Sequence, residues 1–170
     1  MDPKGRLLFF CGKMASGKST LAKQLANRHG AVLLAQDEFL VQLFPGEVVD
    51  VATYLKCSTR IQKALTPHLC SLLTMGLTVV LDFPGNTRTQ RAWFREVIER
   101  SGASHELHFI DVSDEVCKRQ LRERSTGYPA GTRWTTDAEF DAITAYFEAP
   151  GVDEGFDVVR HERGAGGLGI

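Results

Sequence analysis

The chain has 170 residues, 43% of them hydrophobic and 24% charged, and its 20 basic and 21 acidic side chains leave a net charge of −1. That is enough chain for one domain that buries its own core without disulfides or a structural metal. The balanced charge supplies no basic field for coating nucleic acid, and no apolar run is long enough for a secretion signal or a membrane span.

Residues 7–11 (LLFFC) form a continuous apolar run ended by Gly12, as expected of a strand buried on both faces of a parallel sheet. Leu21, Ala22, Leu25 and Ala26 recur at helical spacing over 19–29, and Gly30 is placed to close that helix. A second strand is expected over 31–35, then a short helix over 38–44. Residues 50–75 read as helix, kinked or divided by Pro67. The β-branched stretch in 77–83 predicts a third strand.

The spacing of Trp93, Phe94, Val97 and Ile98 predicts a helix over 89–100, and 106–112 a fourth strand. Ser113 is a helix cap with Asp114 and Glu115 in the first turn, where negative charge suits the dipole. Gly127, Pro129 and Gly131 mark 125–135 as a loop or lid, and Thr136-x-x-Glu139 restarts a helix through Phe147. A fifth strand is expected over 156–160. The glycine-rich stretch 161–170 is expected to be a flexible tail after a single domain at 1–160.

Strands alternating with helices predict a three-layer α/β/α fold around a parallel sheet, with ligands bound beyond the carboxyl ends of the strands. Cys11, Cys57, Cys70 and Cys117 form no C-x-x-C pair and no zinc spacing, so they read as small buried residues. A reactive thiol at Cys11 is the alternative. Free thiols fit a reducing, cytoplasmic setting. The five histidines form no metal spacing and read as structural.

Gly12-Lys13-Met14-Ala15-Ser16-Gly17-Lys18-Ser19 fits G-x-x-x-x-G-K-[ST], between a predicted strand and a predicted helix. The two glycines permit a tight turn and close approach to an anion. Loop amides and the helix N-terminus, through Ser19 and Thr20, offer free N–H donors to phosphates. Lys18 is placed to reach the β- and γ-phosphates of ATP, and the Ser19 hydroxyl to ligate Mg2+.

The loop CGKMASGKST resembles that of the small P-loop kinases, in particular the group that contains polynucleotide 5′-hydroxyl kinases, chloramphenicol phosphotransferase and zeta-toxin-like kinases. The resemblance runs over about 7–159. It implies an adenylate-kinase-like five-stranded parallel sheet, ATP as phosphate donor, and a small lid at about 119–135 that carries arginines.

By that resemblance Asp37, after the second strand, orients or deprotonates an acceptor hydroxyl, with Glu38 next to it as fallback; the other reading is a cap of the helix at 38–44. The polynucleotide kinases carry an arginine three residues after this acid, where this chain has Leu40. Asp82 resembles a Walker B acid that holds Mg2+ with Ser19, although Asp-Phe-Pro-Gly is also a common turn. Asn86, Arg88 and Arg91 follow in a region that similar kinases use for the acceptor; surface solvation is the other reading of the two arginines.

Arg119, Arg122 and Arg124 precede the glycine-rich loop. Lid arginines in the related kinases reach the phosphates, and Arg122 and Arg124 are assigned that role, with Arg133 and Trp134 as further lid candidates. A solvated helix face is the alternative.

The function expected is ATP- and Mg2+-dependent transfer of the γ-phosphate to a hydroxyl. The acceptor is expected to be a small molecule rather than nucleic acid, in a pocket shaped by 39–54, with Phe44, Pro45, Val48 and Val49. No membrane is involved, and the protein is a monomer or homodimer. The alternative is an ATP-dependent switch or interaction module without a dedicated acceptor.

Overall fold

The computed structural model describes residues 4–127 and 135–162. Five parallel strands, β1 (Arg6–Cys11), β2 (Val32–Ala35), β3 (Thr78–Asp82), β4 (Ser104–Asp111) and β5 (Val158–Glu162), lie in the order β2-β3-β1-β4-β5. The helices are α1 (Lys18–His29), α2 (Gln36–Leu43), α3 (Val51–Thr74), α4 (Arg88–Ser101), α5 (Asp114–Ser125) and α6 (Asp137–Thr144). This is the expected α/β P-loop fold. Among the described residues no helix is long and apolar enough to cross a membrane.

The alternation of β1 builds the layers. Successive side chains of a strand point to opposite faces. Leu7, Phe9 and Cys11 enter the core that α3 and α4 cover, while Leu8 and Phe10 join Ala22, Leu25 and Ala26 of α1. Both faces are closed to water, which is why the strand is apolar throughout. On the first face Phe9 stacks on Phe94 at 4.5 Å, and Trp93 donates to the Thr66 hydroxyl at 3.0 Å. Each such side chain contributes about 1.5–3 kcal/mol by leaving water. A third cluster, Ile110, Val112, Val116, Cys117 and Phe140, fastens α5 and α6 beyond the end of β4.

Several local expectations are corrected. Pro67 does not divide α3, which runs unbroken for 24 residues. α6 stops at Thr144 rather than Phe147: the chain turns there, stacks Phe147 on Phe109 and donates the Glu148 amide to the Asn86 carbonyl at 2.8 Å. β5 continues through His161 and Glu162, because pairing with β4 extends to Asp111↔Glu162, so these two residues belong to the sheet and not to a tail. The rest of the expected tail lies outside the described residues, as do Arg133, Trp134 and most of the expected lid loop.

Candidate active site

β1 ends at the centre of the sheet, between β3 and β4, and delivers Gly12 to the carboxyl edge. The Gly12 amide donates to Asn86 Oδ1 at 2.9 Å, which fixes the loop entrance to the segment after β3. A Cβ on Gly12 would stand 2.6 Å from Ser16 Oγ and 3.1 Å from the Ile110 carbonyl, so only glycine fits. Gly17 takes φ 103°, a value that L side chains avoid, and turns the chain into α1. Ala15 stands at φ 58°, unusual for a residue with a Cβ.

The loop is prepared for an anion. No side chain caps α1, whose cap residue is Gly17, so first-turn amides are left without a side-chain acceptor. Ser16 is 1% exposed and its hydroxyl has no protein partner. A buried hydroxyl left unpaired costs about 1–3 kcal/mol, which a phosphate oxygen would offset. The Lys18 amine turns inward and donates to the Gly12 carbonyl and, at 2.8 Å, to that of Lys13. Burial pushes its pKa down to about 8, against the attraction of Cys11 and Asp82. An amine held only by neutral carbonyls in a desolvated place is a strong receptor for negative charge.

Not every loop side chain faces the same way. The Lys13 amine is drawn off to Asp114 Oδ1 at 2.5 Å, and Met14 packs on the cluster beneath α5, so these two serve the loop through their backbones. Ser19 and Thr20 stand exposed in the first turn of α1.

Two carboxylates face this loop. Asp82 ends β3, in register with Ala35 at the end of β2, and two residues further on Asp37 lies in the first turn of α2. The cap reading of Asp37 fails: α2 begins at Gln36, its cap residue is Ala35, and no side chain caps it. Burial and then the charge of Asp82 raise the Asp37 pKa above the usual aspartate value, while Lys18 pulls the other way. The electrostatic links place Asp37, Asp82 and Lys18 in one cluster at the strand ends.

Among the described residues no three His, Cys, Asp or Glu side chains could form a metal cage. Mg2+ needs none, since it is held by one or two protein oxygens together with phosphates. Ser19, next to Lys18 in the chain, and Asp82, whose charge acts on Lys18, carry oxygen donors of the kind Mg2+ takes.

The arginines separate by position. Arg124 is exposed and close enough for its charge to depress the Lys18 pKa, after the larger effect of burial. Arg122 instead pairs with Asp137 at 3.1 Å, on the surface between α5 and α6. Arg119 is exposed.

Arg91 is neither solvated nor open to an acceptor. It is 0% exposed, and donates to both carboxylate oxygens of Glu154 at 2.7 and 2.8 Å and to the carbonyls of Gly85 and Glu148. Arg88 is held by Asp153 at 2.7 and 2.9 Å. Both arginines thus tie α4 and the segment after β3 to the approach to β5. Cys11 is buried, and desolvation raises its pKa to about 12, which removes the reactive-thiol reading. Cys57 and Cys117 are buried as expected, and Cys70 is half-buried.

Sequence reasoning missed a polar group beside Asp37. Gln36, 2% exposed, donates through Nε2 to the Tyr54 hydroxyl at 2.8 Å, while its Oε1 has no protein partner. Ser58, one turn further along α3, is buried against the same phenol. Burial, then the charge of Asp37, raise the Tyr54 pKa. Tyr54 closes the segment 39–54 expected to shape the pocket, and its i, i+4 spacing to Ser58 is the sequence signal for a polar face here. Val48 and Val49, expected to shape the pocket, are 37% and 76% exposed, whereas Phe39, Phe44 and Tyr54 pack against the main core.

Comparison with known proteins agrees with this geometry. The AAA_33 family model, described as an AAA domain, matches residues 7–150. No curated protein sequence matches the chain. A candidate kinase from Chloroflexus aurantiacus J-10-fl superposes with TM-score 0.71 at 16% identity, over 94% of this chain and 88% of its own. The APS kinase CysC of Mycobacterium tuberculosis, solved with AMPPNP and APS, gives 0.62 at 21% identity over 94% and 89%. A sugar kinase from Janibacter sp. HTCC2649 gives 0.61 at 16% over 94% and 86%. At these identities the likeness is one of fold.

Proposed function

The chain belongs to the AAA_33 family of AAA domains, and on that premise we propose that it is an ATP-dependent phosphotransferase, which moves the γ-phosphoryl group of ATP to a hydroxyl of a small-molecule acceptor. The observation that carries this reading is the joint placement of Lys18, Asp37 and Asp82: one cation turned into the glycine-rich loop, and two carboxylates at the neighbouring strand ends. Solved neighbours described as kinases, one bound to AMPPNP, support it.

The loop amides from Lys13 to Thr20 take the phosphates, and Lys18 leaves its carbonyls to follow the β- and γ-oxygens. The Ser19 hydroxyl and Asp82 would hold Mg2+, which when bound neutralises charge that gathers on the phosphoryl oxygens. Asp37 accepts a hydrogen bond from the acceptor hydroxyl and aligns its oxygen with phosphorus. As the acceptor O–H bond breaks toward Asp37, the new O–P bond forms. The bond from phosphorus to the β-phosphate oxygen breaks and ADP departs. The proton on Asp37 then returns to water. A raised pKa suits Asp37 to this task, because a stronger carboxylate base takes the proton more readily. Arg124 approaches over Lys18 and shares the developing charge.

The test is transfer of label from γ-labelled ATP to members of a metabolite panel. Products that form with the wild-type chain and vanish in Lys18→Ala and Asp37→Asn support the reading. Label released only as inorganic phosphate, at a rate no acceptor changes, overturns it.

A further inference from the structure

We propose that the acceptor is an uncharged polyhydroxyl compound, whose non-reacting hydroxyls are read by Gln36, Tyr54 and Ser58 while Asp37 takes the reacting one. This inference rests on the phosphotransferase reading and names the substrate class of the same site.

The group between α2 and α3 is polar, buried and incompletely paired. Gln36 spends one end of its amide on Tyr54, and the other end, buried, has no protein partner. Turning the amide over would exchange the two ends and still leave one unpaired. A buried amide end without a partner is costly, so such a place is built to be completed by a ligand group. Tyr54 is half-buried and lies close enough to Asp37 for that carboxylate's charge to act on its phenol. The available functions are an amide, a phenol and an aliphatic hydroxyl. All are neutral, and together they match a row of hydroxyls, each of which donates and accepts.

The charge of the site points the same way. An acceptor that carries phosphate, sulfate or carboxylate needs a cation to meet it, usually an arginine. The arginines nearest in sequence are committed: Arg91 is buried on Glu154, and Arg88 is held by Asp153. On α3, Lys56 and Arg60 are exposed, and each lies two residues from Tyr54 or Ser58, on the opposite side of the helix. α2 carries Asp37 and Glu38 and no basic residue. Among the described residues, Lys18 is the cation whose charge acts on Asp37, and the donor phosphates claim it, as they claim Arg124 beside it. With Asp37 and Asp82 both acidic, an anionic acceptor would be repelled by like charge.

The test pairs each neutral compound with its charged counterpart. Neutral sugars and cyclitols are offered beside the corresponding sugar phosphates and sugar acids, together with a 5′-hydroxyl oligonucleotide, and product is followed from γ-labelled ATP. Transfer to neutral members, with phosphorylated and carboxylated partners at least about tenfold poorer in kcat/KM, is the expected result. Tyr54→Phe, which keeps the shape of the side chain, and Gln36→Leu should each raise the acceptor KM about tenfold and leave the KM for ATP nearly unchanged. An equal rise in both KM values would reduce the group to a structural role and overturn the inference. Transfer confined to charged compounds or the oligonucleotide overturns it alone and leaves the kinase standing. No transfer to any member, while the broader metabolite panel yields an acceptor, overturns this inference alone; no transfer in either panel removes the phosphotransferase reading with it.

Discussion

Glu154 receives two hydrogen bonds from the guanidinium of Arg91, 63 residues away in sequence, at 2.7 and 2.8 Å, and the arginine is wholly buried. A third nitrogen of the same side chain binds the carbonyls of Gly85 and Glu148. One cation thus ties α4, the turn after β3 and the approach to β5 together directly under the phosphate loop. Removal of one partner leaves a buried charge uncompensated, which costs about 3–5 kcal/mol. Arg91→Ala is therefore expected to lower stability by that order, measured by denaturant unfolding. A change below about 1 kcal/mol would show that the pair contributes no more than a surface ion pair.

That pair also marks where sequence reading stops. The apolar run 7–11 and the G-x-x-x-x-G-K-[ST] loop were legible because their causes are local: a strand covered on both faces must be apolar, and a phosphate nest needs glycine at fixed spacing. The positions of Asp37 and Asp82, at and just after strand ends, were legible from the alternation of strands and helices, and it is there that ligands gather. The burial of Arg91 was not, since an isolated arginine reads as solvated and its partner is far along the chain. The Gln36–Tyr54 bond was equally hidden: it joins two helices, and no local spacing shows which side chains meet between them. β5 extended past its apolar residues because pairing with β4, not composition, sets its end.

The pKa of Lys18, lowered to about 8 by burial, predicts a pH dependence of nucleotide affinity. Below that value the amine is charged and ready for phosphate. Above it the free protein carries a neutral amine, and binding must recover a proton from water. ATP affinity is expected to weaken progressively as pH rises beyond about 8, by up to tenfold per pH unit. Calorimetric titration in two buffers of different ionisation enthalpy would detect the proton taken up. Lys18→Met should bind weakly and lose this dependence. Affinity that stays flat from neutrality to pH 10 in the wild type would contradict the assignment.

As the proposed base, Asp37 would have to be ionised to receive the acceptor proton, and its pKa is raised by burial and by Asp82. The sign follows directly: activity is lost as pH falls, and the loss sets in above the range of an ordinary aspartate. Asp82→Asn removes the like charge, so the acidic limb of the kcat/KM profile should move to lower pH even as activity falls. Asp37→Asn should cost about 100-fold or more in kcat, with ATP binding retained. An acidic limb that Asp82→Asn leaves in place would separate the two carboxylates.

The two lid arginines assigned from sequence should differ in effect. Arg124 acts on Lys18 across the site, whereas Arg122 is occupied by Asp137 at 3.1 Å. Arg124→Ala is expected to lower kcat substantially, and Arg122→Ala to change it much less. The Arg122–Asp137 pair is exposed, so its loss should cost less than about 1 kcal/mol of stability. Steady-state kinetics of the two variants side by side decide the matter, and a larger kcat defect in Arg122→Ala would reverse the assignment.

His108 sets an acid limit on the fold rather than on the chemistry. It is 4% exposed on β4, stacks on Phe10 with ring centroids 5.6 Å apart, and its Nδ1 meets His161 Nε2 at 2.9 Å. Burial, and then the proximity of His161, push its pKa down to about 4, although Glu106 at 3.2 Å works in the opposite direction. The folded chain therefore resists a proton that the unfolded chain accepts near 6.5. Stability should be full above about pH 6.5 and decline as pH falls from there toward 4, by up to roughly 3 kcal/mol. Unfolding free energies measured across that range should show the slope, and His108→Gln, which keeps a polar side chain but cannot titrate, should flatten it. A slope of equal size in the variant would place the acid sensitivity elsewhere in the chain.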